Sequence, residues 1–209
     1  FKAILHGPSP FHKLNKLGIA TWTYHRLTDL FGKKYLRNYD SYIALTKHEE
    51  KIAMRLGVDK NKIEILPNGI DDIKYNIDFN DKINNQILYL GRISRSKNLT
   101  LLLKAIRHAI KEVKYIKLVL AGPDEGLISN LMDYTKKYDL NVKYFNYINE
   151  EMKHKLYLES SVYTLPSLYE PYGITLLEAS IHGTPSIITG QGGQVETAPP
   201  GIASLWSEP

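Results

Sequence analysis

The sequence predicts an α/β protein with parallel strands and helices packed outside them. Three observations lead there. Short apolar, β-branched runs alternate with amphipathic helical patterns from residue 41 to residue 206, the pattern of a βαβ series rather than of hairpins. The chain has 209 residues, 43% apolar and 23% charged, enough to bury a core and ordinary for a globular protein. The apolar run Val162–Leu165 passes through Pro166-Ser-Leu-Tyr-Glu170-Pro-Tyr-Gly173 into a helical pattern starting at Ile174. That is strand, turn, helix start.

Phe1 to His6 is a short apolar run closed by Gly7-Pro8, and it begins without a methionine, as if entering mid-domain. From Leu14 to Tyr39 apolar residues recur at helical spacing among Lys13, Lys16, Arg26, Lys33, Lys34 and Arg37. Such a pattern suits a helix that covers a sheet and shows its charges to water; peripheral contact of residues 13–39 with an anionic membrane is the rarer use of it. Ser41–Leu45 is expected as a strand. Thr46, with Glu49 three positions on, then caps a helix to Leu56, and Lys62–Leu66 forms the next strand. Pro67-Asn68-Gly69 predicts a turn with a left-handed residue, and the polar stretch after it reads as a connector.

Gln86–Leu90 starts a second series. Leu99, Leu102, Leu103, Ile106, Ile110 and Val113 lie on one helical stripe, followed by a strand over Lys117–Ala121. A helix over Gly126–Tyr138 leads to strand Val142–Phe145. Asn149 is placed to cap the next helix, with Glu150 and Glu151 against its dipole. Strand Val162–Leu165, helix Ile174–His182, strand Ser186–Thr189 and a short strand over Ile202–Trp206 complete the series. Ligand loops at the carboxyl ends of such strands belong to a Rossmann-like sheet.

The net charge of +5 is uneven: residues 1–62 hold twelve Lys or Arg against five Asp or Glu, and the remainder fifteen against seventeen. A basic excess confined to one part argues for a local anionic partner and against nucleic acid. There is no cysteine, so no disulfide and no thiolate metal site. With no secretory signal pattern and no run approaching the ~20 apolar residues of a membrane helix, a cytoplasmic location is expected.

The chemistry concentrates at the strand, turn and helix of residues 162–182. Glu170 in the turn and Glu178 in the helix are separated by seven residues. The first helical amides lack intrahelical acceptors and can hold an anion, while carboxylates beside them can accept hydrogen bonds from vicinal hydroxyls. A sugar nucleotide offers both groups. No Asp-x-Asp pair, no G-x-G-x-x-G and no Walker loop occurs, and His48-Glu49 lacks the second histidine of a zincin, so neither a metal nor another cofactor is assigned.

Pro166-Ser167, Glu170, Glu178, Gly183-Thr184-Pro185 and Gly192-Gly193, in that order, resemble the signature of the GT-B-fold retaining glycosyltransferases of group 1 (family 4). Each piece is common; together, within residues 166–193, they are specific. The resemblance implies two Rossmann-like lobes: residues 1–67 as the last part of a first, acceptor-side lobe, 68–85 as connector, and 86–209 as a donor-binding lobe nearly complete but lacking its final helix. It also implies transfer of a glycosyl unit from a nucleotide-sugar, such as a UDP- or GDP-sugar, to a sugar or lipid-linked acceptor with retention.

The same resemblance assigns residues. Gly91-Arg92 and Lys97 match positions that reach the donor diphosphate, where fixed cations would neutralise charge built on the leaving group. Asn98 stands where the family usually has glycine. Glu178 would hold the ribose hydroxyls, and Glu170 with the amides of Tyr172, Gly173, Ile174 and Thr175 would hold sugar and phosphate. Gly122 and Tyr147 fall in loops near the nucleoside, and His6 matches a strand-end contact to the donor sugar. By itself a chain with a partial first lobe is expected to bind donor and turn over poorly. An epimerase or phosphorylase of the same fold, or a non-catalytic nucleotide-sugar-binding module, are the alternatives.

Overall fold

Among the described residues the short apolar runs become strands whose neighbours run the same way, because the connections between them are helices. The structure, a computed structural model, describes residues 27, 39–71, 78, 80, 82–201 and, for the backbone, 204–206. The chain divides into two compact units, Phe1–Gly69 and Ile70–Pro209. His6 and nearly all of the basic, aromatic stretch 13–39 lie outside the described residues.

In the first unit β1 (Tyr42–Ala44) pairs in parallel with β2 (Ile63–Ile65) across helix α1 (Lys47–Arg55). The helix starts as its capping residues require: the Glu49 amide donates to Thr46 Oγ1 at 3.2 Å, and Glu49 Oε2 reaches back to accept from the Leu45 amide at 2.8 Å. Tyr42, Ala44, Ala53 and Val58 form a small core. The turn expected at Pro67-Asn68-Gly69 is not formed, and neither Asn68 nor Gly69 takes a positive φ. The Leu66 amide instead donates to Ala44 O at 2.8 Å, carrying the extended pairing up to Pro67, whose ring favours an extended residue before it.

The second unit is one six-stranded parallel sheet in the order β5-β4-β3-β6-β7-β8. Its strands are β3 (Ile83–Leu90), β4 (Lys117–Ala121), β5 (Val142–Phe145), β6 (Ser160–Leu165), β7 (Ser186–Ile188) and β8 (Ser204–Trp206). The helices between them are α2 (Leu99–Ala109), α3 (Ile128–Lys137), α4 (Glu150–Glu159), α5 (Ile174–Ile181) and the short α6 (Gln194–Thr197). From β3 the chain winds out to β5, then returns to β6 and winds the other way, so the strand order reverses between β3 and β6. That reversal opens a crevice at their carboxyl ends. Leu88, Tyr89, Leu118, Leu120 and Tyr163 are fully buried, as expected for central parallel strands covered on both faces.

Beyond shifts of one or two residues at element ends, three features differ from expectation. β3 starts at Ile83, inside the stretch taken as connector; polar Asn84-Asn85 hid it, and a register shift between Ile83 and Ile87 absorbs them. The apolar stripe of α2 ends sooner than its spacing suggests, since Ile110 is the C-cap and Val113 lies exposed past the helix. Helix α6 was not anticipated; its four residues follow directly on the Gly192-Gly193 loop.

Candidate functional site

The loops after β3 and β6 meet in this crevice. After β3, Gly91-Arg92-Ile93-Ser94 leads into a 3₁₀ turn, Arg95–Lys97. Asn98 then adopts φ 54°, ψ 38° and opens α2. Asparagine is among the few residues that tolerate the left-handed region, so it preserves the turn at the position where glycine is usual. The Leu168 amide donates to Ser96 O at 2.8 Å, drawing the β6 loop onto this turn. Lys97 Nζ consequently reaches Glu170 Oε2 in an ion pair whose side chains are only 16% and 15% exposed. Ser167 Oγ adds a second donor to the same carboxylate oxygen at 3.3 Å.

Glu170 is held from the other side by the glycine loop after β7. The Gly193 amide donates to Glu170 O at 2.7 Å, and the Glu170 amide donates to Gln191 O at 3.2 Å. Gly192, at φ +82°, has no room for a side chain: a Cβ there would lie 2.4 Å from Glu170 O and 2.9 Å from the Tyr169 ring. The Gly-Gly element thus works as a backbone clamp on Glu170. A similar close approach joins the β3 and β4 loops, where a Cβ on Gly122 would fall 2.2 Å from Gly91 O.

Helix α5 begins at Ile174 with Gly173 as N-cap at φ 87°. Ile174 is partly exposed, and Thr175 is fixed by the Tyr163 hydroxyl, which donates to its Oγ1 at 2.7 Å. The backbone carbonyl of Tyr172 accepts from Thr197 Oγ1 at 2.6 Å, which ties the turn before α5 to α6. The first amides of α5 therefore sit on a rigid mount, with the positive end of the helix dipole.

Glu178, one turn further along, takes different partners from Glu170. Lys153 Nζ donates to its Oε1 at 3.1 Å and the Tyr157 hydroxyl to its Oε2 at 2.9 Å. Lys153 also pairs with Glu150 at 2.7 Å. Burial opposes the charge on Lys153, but its hydrogen bonds to Glu150 and Glu178 outweigh this and hold its pKa above the ordinary lysine value. Burial pushes the Tyr157 hydroxyl well above the usual tyrosine range, with Tyr163 and the Glu178 carboxylate adding to the effect.

Two assigned residues stand apart from these pairs. Arg92 forms an exposed ion pair with Glu125 at 2.7 Å, side chains 63% and 47% exposed, and Tyr147 is 82% exposed on the loop after β5. Both loops lie at the same carboxyl edge of the sheet as the crevice. The Gly122–Gly126 loop carries a structural duty as well: Asp124 Oδ1 accepts from the amides of Leu127 and Ile128 at 2.8 and 3.0 Å and so starts α3.

Sequence reasoning missed Lys153, Tyr157 and Glu125. For Lys153 a signal was present, since it stands three positions after Glu150, the spacing of a helical ion pair. For Tyr157 there was none, because its hydroxyl meets a helix that lies across β6 in the chain. Among the described residues no three His, Asp or Glu side chains group as metal ligands, and no helix is long and apolar enough to cross a membrane.

Comparison with known proteins identifies the family. The family model described as glycosyl transferases group 1 matches residues 72–209, and that of glycosyltransferase family 4 matches residues 3–73. The chain is 28% identical over 202 residues to the uncharacterized glycosyltransferase MJ1607 of Methanocaldococcus jannaschii, covering 86% of this chain and 50% of that protein. It is 32% identical over 131 residues to a glycogen synthase of Mycoplasma mobile, covering 61% of this chain and 28% of that enzyme. The chain thus spans half or less of the length of these curated relatives.

Among solved structures, Anabaena Alr3699/HepE in complex with UDP superposes with a TM-score of 0.81 at 18% identity, covering 99% of this chain and 57% of that one. Sucrose-phosphate synthase of Thermosynechococcus elongatus gives 0.75 at 22% identity, covering 94% and 53%. At such identities the likeness shows the fold, which is that of GT-B glycosyltransferases. With well over half of its length matched by one family model, the chain belongs to the group 1 glycosyltransferases.

Proposed function

We propose that this chain carries the donor site of a retaining, metal-independent glycosyltransferase, which takes a nucleotide-diphosphate sugar and passes its glycosyl unit to a sugar or lipid-linked acceptor. The observation that supports it most is the convergence of a cation, a carboxylate and a helix N-terminus at one crevice. Lys97 and Glu170 meet there beside the start of α5. A nucleotide diphosphate needs positive charge at its phosphates, and a sugar needs acceptors for its hydroxyls. Anabaena Alr3699/HepE has been solved in complex with UDP and in complex with UDP-glucose, which favours a uridine nucleotide as the first to try.

In this reading Lys97 and the first amides of α5 receive the diphosphate, and Arg92 leaves its loose surface pair with Glu125 to join them. As the bond from anomeric carbon to phosphate oxygen breaks, negative charge grows on the departing diphosphate; donors already in place stabilise it without reorganising. Glu170, held by Ser167 and the Gly192-Gly193 clamp, accepts from the sugar, and Glu178 accepts from the ribose. Gly91 lies with Arg92 at the diphosphate, and Gly122 and Tyr147 line the nucleoside end. The lysine and the arginine take the part a divalent cation plays in Asp-x-Asp transferases.

Thermal stabilisation by UDP, GDP and their sugars tests the proposal. A ligand at a hundred times its dissociation constant adds about 2.7 kcal/mol. No stabilisation by any nucleotide diphosphate, or products of epimerisation or phosphorolysis where transfer is expected, would overturn it.

A further inference from the structure

Building on the reading of Glu178 as the ribose ligand, we propose that Tyr157 and Lys153 of α4 are positioning residues that hold the Glu178 carboxylate ready for the two ribose hydroxyls. They lie four residues apart on α4, hence on one face of it. That face is set by Asn149, whose Oδ1 caps the helix by accepting from the Met152 amide at 2.9 Å. Each residue takes one oxygen of Glu178: Lys153 donates to Oε1 at 3.1 Å, Tyr157 to Oε2 at 2.9 Å. An ionised carboxylate has about four lone-pair sites, so one donor on each oxygen leaves each oxygen able to accept once more. Two vicinal hydroxyls match that remaining capacity.

Packing alone does not account for the tyrosine. Its ring stacks on His182 at 5.1 Å and tilts against Tyr163 at 5.7 Å, contacts a phenylalanine would keep. The hydroxyl is what reaches Glu178, and burial, which pushes its pKa well above the usual tyrosine range, keeps it a donor at neutral pH. Lys153 is shared with the exposed carboxylate of Glu150, so Glu178 does not hold its ammonium alone. Held from two sides, Glu178 is satisfied without ligand and need not reorganise when ribose arrives, which is how preorganisation raises affinity.

The test is calorimetric titration of the chain and its Tyr157→Phe, Lys153→Met and Glu178→Gln variants with UDP, GDP and their 2′,3′-dideoxy counterparts. The unaltered chain should prefer the ribonucleotide by roughly tenfold or more, and Glu178→Gln should lose most of that preference. Tyr157→Phe and Lys153→Met should each reduce it about three- to tenfold, with affinity for the dideoxy compound within about twofold of the original. An undiminished preference in both variants overturns the positioning role and leaves Glu178 as ribose ligand. An equal loss for both nucleotides overturns it too, because that marks a general structural effect. If the unaltered chain shows no preference, the role of Glu178 itself fails and the inference with it. Should circular dichroism show Tyr157→Phe unfolded, Lys153→Met decides.

Discussion

Lys97 and Glu170 stand 73 residues apart in the chain and meet in an ion pair largely shielded from water. The pair places the cation expected at the diphosphate against the carboxylate expected at the sugar. Their substitutions should therefore act in opposite directions. Lys97→Met should weaken binding of UDP or GDP by about 1.5 to 3 kcal/mol, the range for a hydrogen bond to a charged group. Glu170→Gln removes the neutralising partner and should leave nucleotide affinity unchanged or raised. Parallel losses in both titrations would show that the pair is only a structural tie between the two loops.

Arg92 offers a contrast, since its pair with Glu125 is exposed. Arg92→Ala should change the midpoint of unfolding little, because exposed pairs contribute about 0–1 kcal/mol. In a transfer-competent protein containing this chain it should lower the single-turnover rate roughly a hundredfold, about 3 kcal/mol of transition-state stabilisation. A normal rate would remove Arg92 from the site.

Gly192→Ala tests the clamp on Glu170. The added Cβ would meet Glu170 O at 2.4 Å from a backbone at φ +82°. A loss of about 1–3 kcal/mol in stability is expected, the usual range for a strained backbone position, together with weaker donor binding. Chemical denaturation and titration of the same variant measure both. An unaltered stability would mean that the loop can move away from Glu170.

Chelation should leave donor binding untouched. In the proposed function Lys97 and Arg92 supply the charge that Asp-x-Asp transferases draw from a metal, and no Asp-x-Asp pair occurs in the sequence. Titration of UDP or GDP in EDTA should match titration in Mg²⁺. Loss of binding in EDTA, restored by Mg²⁺ or Mn²⁺, would contradict the assignment.

His182 predicts a loss of stability in mild acid. It is buried at the end of α5, and its Nδ1 lies 2.6 Å from Glu178 O, so that nitrogen must donate. Its Nε2, 3.0 Å from His154 Nδ1, is then left to accept. Burial lowers the His182 pKa below its usual value; the Glu178 carbonyl opposes this, while His154 and Lys82 add to it. With the folded pKa below the unfolded one, the unfolded chain takes up the proton first. Stability from this group is complete above about pH 6.5 and falls as the pH drops toward the folded pKa. Unfolding midpoints between about pH 7.5 and 5.5 should decline less steeply in His182→Gln than in the unaltered chain. Identical slopes would place the acid sensitivity elsewhere.

Apart from the short α6, sequence by itself determined the order and type of the helices and strands described, because hydrophobic period and capping act over a few residues. Thr46 and Asn149 cap the helices they were expected to cap, and the stripe from Leu99 to Ile106 is the buried face of α2. The linear order of Glu170, Glu178 and the glycine turns was enough to identify the family, since backbone approach at Gly192 leaves a mark in the sequence itself. Tertiary structure decided the partners. The meeting of Lys97 with Glu170 needed the reversal of strand order between β3 and β6 and the hydrogen bond from Leu168 to Ser96. The hold on Glu178 needed α4 to present Lys153 and Tyr157 across β6 to α5. Neither follows from local period, because a side chain's charge partner is chosen by which loops and helix faces the sheet brings together, and that is a property of the whole fold.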